Sequence, residues 1–142
     1  MNRLTERITN QKGAALVEFA IVLPLLLVLV FGMIEFSIMF YDKAVITNAS
    51  REGARAGIVY DFPDRVTMGQ IEDAVKEYAS GRLISFGGAN LAPDIVSNEC
   101  LNAGDSLTVS VAYEYTYLVL PSLITTLTGP IDLTAVTTMR CE

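Results

Sequence analysis

The chain has 142 residues, of which 51% are hydrophobic and 18% charged. That is enough chain for one domain and too apolar a composition for disorder. It holds no His, which excludes a Ser-His-Asp or Cys-His catalytic arrangement and any His-ligated metal site. Ten basic residues against sixteen acidic ones give a net charge of -6. A nucleic-acid binder needs a basic face to neutralise phosphates, so this balance argues against one.

Residues 1–13 carry Arg3, Arg7 and Lys12 against one acid, Glu6. Residues 19–34, FAIVLPLLLVLVFGMI, then run without a charge. Extended back to Ala14, the apolar run is interrupted only by Glu18. At 1.5 Å per residue such a helix reaches roughly 31 Å, about one hydrocarbon core. No face of it is polar, so a transmembrane helix is predicted over residues 14–35. The basic flank places the N-terminus in the cytoplasm and the remainder outside. Residues 42–142 hold 7 basic and 13 acidic side chains, so the exported part is acidic. A cleaved secretory signal fits poorly, because Phe31-Gly-Met-Ile-Glu-Phe-Ser37 lacks the small residues of an A-x-A site.

The helix is predicted to continue over residues 36–58. Ala49, Gly53 and Gly57 fall at four-residue spacing and leave one face nearly flat. Such a face lets another helix approach closely. The same glycines can instead fray and end the helix, and both readings hold if Gly57 is the stop. Pro24 removes one backbone hydrogen bond and kinks the span.

Asp61-Phe-Pro-Asp64 reads as a turn. Thr67-Met-Gly-Gln70 has the form of a capping box, and Ile71, Val75 and Tyr78 follow on one helical face, with Gly81 as a stop. Gly87-Gly-Ala-Asn90 reads as a loop. It lacks the Lys-Ser/Thr of a phosphate-cradling loop. From Leu107 to Val119 apolar and polar residues alternate, the mark of a half-buried strand. Residues 94–100 and 131–141 read as its partners, and Pro121 and Gly129-Pro130 bracket the segment between. The expected fold is α+β: a long N-terminal transmembrane helix, its extension, then an exported domain over residues 59–142. In that domain the second helix and the rear of the long helix cover about three antiparallel strands. The strand over residues 106–119 is long enough to leave an edge for another chain. Cys100 and Cys141 both lie on the exported side, where disulfides persist, and are expected to pair.

The most informative stretch is Lys12-Gly-Ala-Ala-Leu-Val-Glu-Phe19. A carboxylate at Glu18, inside an apolar helix, costs on the order of 2.5–3.5 kcal/mol. Gly13, after a basic residue, makes the backbone easy to extend into a protease. If the chain is cut after Gly13, the ammonium of Ala14 on one subunit can pair with Glu18 of its neighbour. A charge pair in hydrocarbon selects one axial register. Alternatively, Glu18 snorkels to the headgroups or pairs with Lys12 of its own chain.

Gly13, four residues, Glu18 and an aromatic Phe19, opening an apolar helix, resemble the processing site of type IV prepilins. The longer run adds Glu18-Phe-Ala20, Pro24, Glu35-Phe36 and Arg51-Glu-Gly-Ala-Arg-Ala-Gly57. It resembles the TadE-like proteins of tight-adherence (Tad) pilus systems. That resemblance implies a pilin-like fold and a minor pilin or pseudopilin without cofactor. It implies a prepilin peptidase cutting between Gly13 and Ala14, and a role for Glu18 and Phe19 in processing or assembly. It implies other pilin subunits, an inner-membrane assembly platform and the lipid bilayer as partners. Phe19 stands where major pilins commonly carry Tyr, and Ala14 where type IV mature ends typically carry Phe.

Three functions compete on the residues. The first is a structural subunit of an adhesion pilus in the bacterial inner membrane, and the second a membrane-anchored extracytoplasmic binding module that joins no fibre. The third is an enzyme, for which only solvated acid pairs such as Glu72-Asp73 speak. The expectation is no enzyme and no nucleic-acid partner.

Overall fold

The structure is a computed structural model and describes residues 3–61, 64–84, 94–98, 100–117, 129 and 131–142. The segment 87–90 read as a loop, Pro121, and Phe62-Pro63 of the sequence read as a turn lie outside the described residues. The chain divides into two compact units, Met1–Phe36 and Ser37–Glu142.

The first unit is helix. α1 runs over Arg3–Ile58 and carries Pro24 in its interior. It begins ahead of Ala14, so the basic leader continues the same helical backbone. Leu16, Ile21 and Leu25 are each about 70% exposed, so the protein itself covers almost none of this apolar surface. Among the described residues this is the one helix long and apolar enough to cross a membrane.

The second unit opens with residues 37–58 of α1. Val45, Ile46, Ala49 and Ala54 form its buried face, while Tyr41, Arg51 and Arg55 stay exposed. Then come two short strands, β1 (Tyr60–Asp61) and β2 (Asp64–Arg65). β1 and β2 are antiparallel, with Asp61 paired to Asp64.

α2 spans Met68–Ala79. Thr67 is its N-cap, and its N–H donates to Gln70 Oε1 at 2.9 Å, one arm of the capping box. Ile71, Val75 and Ala79 are its buried stripe. Gly81, at φ +70°, takes the left-handed conformation just past the helix end.

Three antiparallel strands complete the unit: β3 (Asp94–Ser97), β4 (Ser106–Tyr115) and β5 (Ile131–Arg140), in the order β3-β4-β5. Strict alternation along β4 buries Leu107, Val109, Val111, Tyr113 and Tyr115. Leu133 and Ala135 of β5 join the same face. With α1 and α2 these side chains make one core. β4 is the central strand: β5 pairs along its whole length and β3 along Val109–Ala112, so β3 and β5 border the sheet.

Candidate functional site

Gly13, Ala14, Glu18 and Phe19 all lie on α1 in the first unit, and all are exposed. A Cβ placed on Gly13 would meet no atom within 4 Å. Nothing in the fold therefore requires glycine there, and a glycine in a helix interior costs about 1 kcal/mol against Ala. Glu18 makes no hydrogen bond and no ion pair among the described residues. Its four-residue spacing from Ala14 puts both on one helical face. Phe19, 60% exposed, stands beside it. These residues present one carboxylate, Glu18, on an otherwise apolar stretch of helix.

Residues 13–55 match the family model of TadE-like proteins. Over that segment the chain is similar to TadE-like proteins. The match begins on Gly13, takes in Ala14, Glu18, Phe19, Ala49 and Gly53, and stops inside α1, two residues before Gly57. No curated protein and no solved structure shows a significant match to the chain.

The small residues toward the end of α1 have a packing role. A Cβ on Gly53 would collide with Val75 Cγ2 of α2. A Cβ on Gly57 would stand 2.6 Å from Leu107 Cδ2 of β4 and 2.7 Å from Ile71 Cδ1. Ala49 is fully buried one turn earlier. The flat face is thus occupied within the chain, by α2 and the head of β4. α1 ends one residue after Gly57, at Ile58.

Cys100 and Cys141 form a disulfide with Cα atoms 5.8 Å apart. It ties the penultimate residue to the loop before β4. Around it, Cys141 N–H donates to Asp105 C=O and Gly104 N–H donates to Cys141 C=O, both at 2.8 Å.

Two polar residues of α1 escape a sequence reading. Asp42 is fully buried, and its Oδ1 accepts the main-chain N–H of Ile84 at 2.9 Å. Burial pushes its carboxyl above the usual carboxylate range, and the Ile84 N–H pulls part of the way back. Ser50, also fully buried, donates to Thr47 C=O at 2.9 Å and shares a 2.7 Å hydroxyl contact with Thr137 of β5. In sequence, Asp42 follows a long apolar run and reads as a solvated charge. Its distant partner leaves no local signal.

Proposed function

We propose that this chain is a non-enzymatic accessory subunit, a minor pilin or pseudopilin, in the assembly of a Tad-type adhesion pilus. It sits in the bacterial inner membrane by one span, with the leader in the cytoplasm and the unit from Ser37 onward outside. A prepilin peptidase removes residues 1–13, and the new Ala14 ammonium of one subunit pairs with Glu18 of the next as the helices are gathered by the assembly platform. Whether at the base or within the fibre, the work is alignment rather than chemistry.

The observation that carries this reading is the TadE-like match opening on Gly13. Three further facts support it. Gly13 has no packing role in the fold. Glu18 has no partner among the described residues. The apolar rod is left bare by its own chain. A lone carboxylate in such a rod is costly, and an ammonium from a neighbour answers that cost.

The test is Glu18→Ala in the pilus-bearing cell. The variant should insert in the membrane at the normal level and yield no pili. Normal pili with Glu18→Ala would remove the register role and leave a tethered binding module.

A further inference from the structure

The outer border of the sheet can be worked out bond by bond. Thr108 N–H donates to Asn98 Oδ1 at 2.6 Å, and Thr108 C=O accepts from Asn98 N–H at 3.4 Å. The even-numbered residues of β4 therefore turn their main-chain groups toward β3, and the odd-numbered ones toward β5. In the β4–β5 register Leu107 faces Met139 and Val109 faces Thr137, so odd-numbered residues of β5 are bonded inward. The Cys141–Asp105 and Gly104–Cys141 bonds continue the same parity. Asp132, Thr134, Val136, Thr138 and Arg140 must then turn their N–H and C=O groups outward.

Two bonds from α1 meet this border. Lys43 Nζ donates to Thr134 C=O. At the far end Glu142 N–H donates to Ile58 C=O at 3.3 Å, satisfying a carbonyl that the end of α1 leaves open. Both fall on even-numbered residues, as the parity requires. Between them, among the described residues, no strand and no side chain bonds the main chain of Val136 or Thr138. Val136 is 64% exposed there. Among the described residues this β-branched stretch of edge is unpaired, and such an edge is a template for pairing with another chain.

We infer that Lys43 is an edge guard: its ammonium, seated on the Thr134 carbonyl, keeps a second copy of this chain from adding a strand along β5. A strand approaching Val136 must bond Thr134 C=O in the same ladder, and it meets a cation already there. Copies held side by side at high density are thereby kept from joining through their sheets. The inference rests on the exported unit alone and stands whether or not the chain enters a fibre.

The test uses the full chain in detergent micelles, with self-association followed by sedimentation equilibrium. Lys43→Met keeps the aliphatic stem and removes the charge; it should tighten self-association at least tenfold over the unaltered chain. Lys43→Arg should not. Val136→Pro deletes an outward N–H and leaves the β4 ladder whole; added to Lys43→Met it should restore the original association. A change under tenfold, or one that Val136→Pro does not reverse, overturns the inference. Amide exchange of the unaltered chain tests it without any variant. Val136 and Thr138 should exchange fast while Ala135 and Thr137 are protected. Slow exchange at Val136 and Thr138 would show the edge already covered and would equally overturn it.

Discussion

Asp42 accepts the main-chain N–H of Ile84 with one carboxylate oxygen, while its other oxygen is buried with no partner among the described residues. The bond ties α1 to the chain just past α2, and the orphan oxygen makes the ionised form costly. The folded carboxyl titrates above its unfolded value. The cost is therefore full above the raised folded value and absent below the ordinary carboxylate range. Stability should rise as pH falls from neutral through that window. Asp42→Asn, which keeps an acceptor for Ile84, should flatten this rise. Unfolding midpoints of the two proteins across pH check it, and parallel curves would contradict it.

Gly53 and Gly57 should tolerate no methyl group. Gly57→Ala places a Cβ within 3 Å of both Leu107 and Ile71. Overpacking of this kind costs about 1–3 kcal/mol, more than the roughly 1 kcal/mol that Ala gains in a helix. Gly13→Ala, with open space around it, should leave stability unchanged or slightly raised. Denaturant melts of the three variants compare these directly.

The disulfide between Cys100 and Cys141 closes a loop of 41 residues. In the chain-entropy model such a loop is worth about 4 kcal/mol. Replacing both cysteines by Ser should lower the unfolding free energy by that order and leave the β4–β5 ladder formed. Amide exchange along β4 measures both.

Glu114 and Asp132 stand directly opposite each other on β4 and β5, both exposed on the outer face. Like charges at such a position destabilise, and an opposite pair contributes roughly 0.2–1 kcal/mol. Glu114→Lys should stabilise the unit by about that amount at low salt, with the gain shrinking as salt is added.

Local patterns made much of this fold legible. The Thr67–Gln70 box, the Ile71-Val75 spacing and the alternation from Leu107 each encode their partner within one or two turns or a strand. The apolar run and the Gly13–Phe19 motif are likewise contiguous. What escaped is long-range. Nothing near Asp42 announces Ile84, 42 residues on. Nothing in β4 says that β3, its partner on one side, will pair only along Val109–Ala112. Lys43 reads as a surface charge until β5, about ninety residues later, arrives beside it. The small-residue face was visible, but its occupant was not. α2 and β4 fill it inside the chain, so Gly53 and Gly57 leave no flat surface there for another subunit.

The central claim, that the leader is removed at Gly13 to free an ammonium for Glu18, is tested most directly by intact mass. The protein would be purified from membranes of cells with and without the prepilin peptidase. With the peptidase, the account predicts the 129-residue chain that begins at Ala14; without it, the full 142 residues. The same full-length mass from both strains would contradict it.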